Sequence, residues 1–190
     1  MSDPITAERL RELLSYDPET GNFTWLVSNG RRAIAGVIAG WINKSTGYRW
    51  IRIDGRGYKA HRLAWLYMKG EWPRHQIDHI KAGKEYRADN CWRNLRAATQ
   101  TQNNANTSRH TNSGNDFKGI YWYKRSCRWQ AQIRIGGKRV YLGRFDHPYQ
   151  AYASYCIAAR QHYGEYARLY DWETMIDPGP RSLGNDWLGI

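Results

Sequence analysis

Residues 76–106 read QIDHIKAGKEYRADNCWRNLRAATQTQNNAN. Ile77 and Ile80 flank Asp78 and His79 in a short run of strand character. Asn94 stands fifteen positions after His79 and begins Asn94-Leu95-Arg96, and Asn103 follows nine positions later. Thr99 and Gln102 have the spacing of a capping box, in which each side chain caps the other's backbone N–H. That spacing predicts a helix that starts at Thr99 and carries Asn103 in its first turns. The expected unit is strand, long loop, short strand, helix. Asp78 and His79 fall on the first strand, Asn94 at the second and Asn103 on the helix.

Four polar residues at ordered positions around one supersecondary unit resemble the ββα-metal motif of HNH endonucleases. The form is the Asp-His … Asn … Asn variant of phage-type homing enzymes. The loop from His79 to Asn94 is a few residues longer than in compact members, while the step from Asn94 to Asn103 is kept. The resemblance implies hydrolysis of phosphodiester bonds, with His79 and Asn94 catalytic and Asp78 and Asn103 holding a divalent cation, Mg²⁺ or Mn²⁺. The residue types suit that chemistry. Neutral imidazole can take a proton from water, and carboxylate and carboxamide oxygens suit a hard cation. Asn94 is expected to orient the imidazole through its other ring nitrogen. Adjacent strand residues point to opposite faces, so a distorted strand, or Asp78 reaching past the backbone, is expected as well. An isolated Asp-His pair reads better as an ordinary buried pair; the two asparagines and the capped helix favour the nuclease.

Lys and Arg total 29 against 17 Asp and Glu, a formal net charge of +12. A balance this basic points to a polyanion partner, most often nucleic acid. The charge is uneven: residues 117–170 carry net +8, residues 1–116 net +7 and residues 171–190 net −3. Cys91, Cys127 and Cys156 form no CxxC pair, so neither a structural zinc site nor a disulfide framework is expected. Without an apolar run of membrane-spanning length or an apolar signal core, the expected setting is the cytoplasm of a bacterial or phage-infected host cell.

Upstream, Thr6 caps a predicted helix with Ile5 and Leu10 as its hydrophobic staple, and Leu10, Leu13 and Leu14 face a core. Asp17 to Gly21 is a turn and Asn22 to Val27 a strand. YDPETGNFTW resembles the N-terminal part of phage HNH proteins and reads as structural. Arg31 and Arg32 suit phosphate contact or plain solvation. Tyr48 to His61 reads as a hairpin about Asp54-Gly55-Arg56-Gly57, and a short helix ends at Gly70. The sequence His61-Arg62-Leu63-Ala64-Trp65 recurs in the same family just before the catalytic strand. His61 is the accessory histidine of a two-histidine reading; a structural or phosphate-facing part is the plainer expectation.

Residues 107–116 are polar and read as a linker, with Arg109 and His110 near DNA. Beyond it lie three alternating strands with tight turns, then a helix from His147-Pro148 to Gly164. The order KGI … W.AQI … RVYLG.F resembles the DNA-binding domain of plant ethylene-response factors, over about 50 residues. That likeness implies a sheet lying in the major groove. By position, the implied contacts are Lys118, Tyr121, Tyr123, Arg125, Gln132, Arg134, Arg139 and Tyr141. Tyr121 and Tyr123 stand where the plant domains carry Arg, so base preference should differ.

The expected fold class is α+β: a ββα-metal nuclease module with a β-rich N-terminal region, then a three-stranded antiparallel sheet packed on one helix. The expected divisions are 1–106, a linker at 107–116, 117–170, and a tail at 171–190 whose Trp172 and Trp187 are candidates to dock on the body. The function so read is a metal-dependent endonuclease of double-stranded DNA, a site-selective nicking or homing-type enzyme, with no membrane or obligate protein partner. A single site per chain makes nicking the simpler expectation for a monomer. The alternative is a DNA-binding regulator with an inactive nuclease motif; RNA binding is weaker still.

Overall fold

The computed structural model describes residues 5–28, 30–31, 33–107 and 117–169. The expectations for Arg32, for most of the 107–116 linker with Arg109 and His110, and for the tail with Trp172 and Trp187 lie outside the described residues. The chain is a mixed α+β structure with several small antiparallel sheets.

Thr6 caps α1 (Ala7–Leu13), accepting a hydrogen bond from the Arg9 N–H, and Leu10 and Leu13 bury the helix's inner face. Strands β1 (Leu14–Tyr16) and β2 (Phe23–Trp25) pair across the Asp17–Gly21 turn. β2 is shorter than the expected 22–27 strand: Leu26 and Val27 lie beyond its end with exposed side chains, although the Leu26 N–H still bonds the Leu13 carbonyl. β3 (Trp41–Ile42), β4 (Arg49–Ile53) and β5 (Arg56–Lys59) form a second sheet. The β4–β5 turn places both Asp54 and Gly55 at positive φ, 48° and 79°. That pairing matches the right-handed twist of a two-residue hairpin. α2 (Ala60–Lys69) follows, and Gly70 ends it in the left-handed region. Leu10, Leu14, Phe23, Ile51, Leu63 and Leu66 are the fully buried heart of this first core.

β6 (Gln76–His79) and β7 (Leu95–Ala98) pair antiparallel, and α3 (Gln100–Asn106) starts from a complete capping box of Thr99 and Gln102. This is the expected strand, loop, strand, helix unit.

A second core lies between α4 (Pro148–Tyr163) and the sheet of β8 (Ile120–Tyr123), β9 (Arg128–Ile135) and β10 (Lys138–Phe145), with β9 central. Ala131 and Ile133 meet Ala151, Tyr152, Tyr155, Ala158 and Ala159 there. Gly119 sits at φ 80°, where an added Cβ would fall 2.1 Å from the Tyr155 ring, so no other residue fits that approach.

Candidate active site

Strand β6 is covered on both faces. Its alternating side chains therefore carry Asp78 and His79 into two different buried environments. The register is continuous, Asp78 opposite Arg96 and His79 opposite Leu95, so the expected distortion of the strand is absent. What joins the two sides is Asn106, at the end of α3. Its Nδ2 donates to Asp78 Oδ2 at 2.9 Å and to the His79 carbonyl at 2.7 Å.

On the first side, the His79 ring lies edge-on to His61, 5.0 Å between centroids, with Tyr48 against both rings. Asn90 Oδ1 stands 3.2 Å from His79 Nε2. The orientation of that amide is fixed independently, because Asn90 Nδ2 donates to the Ala88 carbonyl. The amide oxygen therefore faces the ring, Nε2 carries the proton, and Nδ1 keeps the lone pair. Burial pushes the His79 pKa down, outweighing the Asn90 hydrogen bond and the charges of Asp78 and Asp89, so the ring is neutral near pH 7. His61 is driven well below the ordinary histidine range, first by burial, then by coupling to His79, where two cationic rings would repel, and then by the charges of Lys59 and Arg62. Its Nδ1 has no hydrogen-bond partner among the described residues.

Asn94, expected at the imidazole, sits elsewhere. Its Oδ1 accepts the Lys81 N–H, its Nδ2 donates to the Asp89 carbonyl, and its own carbonyl accepts the Ile80 N–H. It ties together the two ends of the loop that carries Asn90. The reason is conformational: a 3-10 turn at Trp92–Asn94 carries Asn94 to the base of the loop, while Asn90 reaches the ring. The Asp17–Gly21 turn braces that loop. Trp92 donates to the Pro18 carbonyl, Tyr16 Oη donates to the Asn90 carbonyl, and a Cβ on Gly21 would strike the Asn90 backbone at 2.3 Å. Asn90 was hidden in the sequence, because two asparagines four apart in one loop offer the same acceptor.

On the second side, Arg96 places Nε and Nη2 each 3.1 Å from Asp78 Oδ2. Asn103 shares this face of β6 but bonds Gln76 rather than Asp78, and Gln76 in turn bonds Gln100. The residue of α3 that meets Asp78 is Asn106, one turn beyond the expected Asn103. Among the described residues no three His, Cys, Asp or Glu side chains group to hold a metal. A cation beside Asp78 would thus draw its other protein ligands from carboxamides such as Asn103. One carboxylate with carboxamides and no thiolate is the oxygen chemistry of a hard divalent ion, and the residues fit that group by donor type.

The C-terminal sheet presents a polar face opposite α4. The register sets Tyr123 beside Arg128, Tyr121 and Arg144 on either side of Gln130, Gln132 beside Tyr141, and Arg134 beside Arg139. Six of the eight expected contacts therefore share this face, and Arg125 lies in the 3-10 turn at its edge. Arg144 belongs to the face as well, its guanidinium 4.4 Å over the Tyr123 ring. A bulge between Tyr141 and Gly143 reverses the alternation and brings Arg144 round. Lys118 does not join the face. Its ammonium donates to the carbonyls of Asn104, Ala105 and Thr107 at the end of α3, and burial lowers its pKa to about 8. A cation there satisfies carbonyls that the helix leaves open.

Residues 58–105 match the family model described as HNH endonuclease, so the chain carries an HNH endonuclease domain over about a quarter of its length. The matched span contains His61, Asp78, His79, Asn90, Asn94 and Asn103. An HNH domain implies a nuclease acting on DNA by phosphodiester hydrolysis, generally with a divalent metal. No solved structure matches the chain. Among the described residues no helix is long and apolar enough to cross a membrane.

Proposed function

We propose that the protein is a metal-dependent endonuclease that cuts duplex DNA at selected sites, as a nicking or homing-type enzyme. The observation that carries this reading is the His79–Asn90 pair. Within an HNH domain, a buried neutral imidazole has its tautomer fixed so that one nitrogen can take a proton. In this mechanism His79 Nδ1 accepts the proton of the water that attacks phosphorus, while Asn90 holds the Nε2 proton in place. Asn94 keeps the loop closed so that Asn90 stays on the ring. Asp78, with Asn103 as the second expected ligand, would hold Mg²⁺ or Mn²⁺, which supplies charge neutralisation at the phosphate and leaving oxygen when bound.

DNA is held by the polar face of β8–β10, with Tyr121, Tyr123, Gln132, Arg134, Arg139, Tyr141 and the added Arg144 facing the duplex and Arg125 at the edge. The support is the shared face and the net +8 of residues 117–170. The domain's resemblance to the ethylene-response-factor sheet points the same way. The divisions at 106, 116 and 170 are retained in this proposal, with the cutting and holding modules on either side of the linker.

The experiment is incubation of supercoiled plasmid with the full chain in Mg²⁺, in Mn²⁺ and in EDTA. Relaxed circles with either metal and none with EDTA are expected, and duplex binding should survive chelation. Binding without cutting under every metal condition would instead identify a DNA-binding regulator.

A further inference from the structure

Both side chains that touch Asp78 are held from behind by the C-terminal unit. After Gly164 ends α4, a 3-10 turn at Gly164–Tyr166 passes over β7. There the Tyr166 ring covers the Arg96 guanidinium at 4.0 Å, and Tyr166 Oη donates to the Ala97 carbonyl at 2.8 Å. Arg96 Nη1 donates to the Glu165 carbonyl at 2.9 Å, and the Glu165 carboxylate stands 4.0 Å from the same nitrogen. One edge of the guanidinium thus faces Asp78, the other faces Glu165, and a ring closes one flank. Asn106 is served in the same way. Lys118 and the Arg168 N–H both bond the Ala105 carbonyl, fixing the end of α3 from which Asn106 reaches Asp78 and the His79 backbone.

A charged pair buried this far keeps one geometry only when its remaining donors are satisfied. Arg96 is 11% exposed, and the groups that complete its shell come from a segment about 70 positions away in the chain. Without Tyr166 and Glu165, its guanidinium would have solvent in place of fixed partners and several rotamers open to it.

We infer that Tyr166 is a positioning residue for cleavage. The C-terminal unit completes the Asp78 site through Arg96 and α3, in addition to any part it has in holding DNA. The inference rests on the endonuclease reading above. It assigns to Tyr166 an effect on the rate of cutting at saturating DNA and none on affinity, because the ring lies on Arg96 and away from the β8–β10 polar face.

The test is single-turnover cleavage by the full chain at saturating duplex, with Kd measured separately in EDTA. Tyr166→Ala should lower the rate constant by about tenfold or more, since a small misplacement at a reacting centre can cost up to ~10²-fold. Its Kd should stay at the wild-type value. Tyr166→Phe keeps the ring over Arg96 and should recover most of the rate. Should Tyr166→Ala lose its thermal unfolding transition, Tyr166→Leu, which keeps bulk on β7 but removes the π face, decides in its place. A wild-type rate for the folded Ala or Leu variant would overturn the inference, as would a Tyr166→Phe defect equal to that of Ala. If the wild-type chain failed to cut, or His79→Ala cut equally well, the endonuclease reading itself would fall. A His79-dependent nuclease indifferent to Tyr166 would remove only this inference.

Discussion

Strand β6 and strand β9 both carry the polar groups that matter to their units, and they carry them in opposite ways. β6 buries Asp78 and His79, and each has fixed partners: Arg96 and Asn106 for one, Asn90 for the other. β9 turns Gln130, Gln132 and Arg134 away from α4, onto a face open to solvent, with Arg134 exposed and the two glutamines half-buried. A buried polar group must be satisfied inside the protein or cost free energy, so its geometry is set before any ligand arrives. A solvated basic face is free to follow a partner's shape and derives affinity from releasing counterions. The first arrangement suits bond breaking and the second suits holding a polyanion.

The largest expected effect is on the buried side. His79→Ala should reduce cleavage by ~10²–10⁴-fold, the usual worth of a general base, with DNA affinity unchanged because the ring is uncharged. Single-turnover rates and anisotropy on one duplex check this. Asn90 and Asn94 then separate two uses of a buried amide. Asn90→Ala should slow cleavage by roughly tenfold, the equivalent of one hydrogen bond of about 1–1.5 kcal/mol. Asn94→Ala leaves the Lys81 N–H and the Asp89 carbonyl without their partners. It should lower unfolding free energy by about 1–3 kcal/mol in a denaturant titration. Equal effects of both on stability, with none on rate, would dissolve the distinction.

On the exposed side, Arg134→Ala or Arg139→Ala should weaken duplex binding by about 1–3 kcal/mol and relax preference at one base, with stability unaltered. Removing an arginine that neutralises one phosphate should flatten the log–log salt dependence of affinity by about 0.9. Lys118→Met should leave that salt dependence unchanged, since the ammonium bonds α3 carbonyls. A flattened slope would return Lys118 to the DNA face.

Local signals account for most of what could be read in advance. Thr6 and Thr99 cap the helices they were expected to cap, Asp54-Gly55 turns the hairpin, and Pro148 and Gly164 bracket α4. Those features depend on neighbours a few residues apart, and the sequence states them directly. What escaped depends on where a loop comes back. Asn90 and Asn94 lie in one loop, and only its 3-10 turn decides which meets His79. Asn103 and Asn106 lie on one face of α3, and only the docking of α3 on β6 decides which meets Asp78. Lys118 has the position of a DNA contact by likeness, but α3, more than ten residues upstream, supplies its acceptors. Arg144 escaped because a bulge breaks strict alternation.

On the proposed reading, cutting resides in the buried imidazole and holding in the exposed sheet. The direct measurement is the cleavage rate constant at saturating DNA together with Kd on the same duplex, for wild type, His79→Ala and the double variant Arg134→Ala/Arg139→Ala. The expected result is a rate that collapses with Kd intact for His79→Ala, and a raised Kd with the saturated rate intact for the arginine pair. A His79→Ala protein that cuts at the wild-type rate would contradict it.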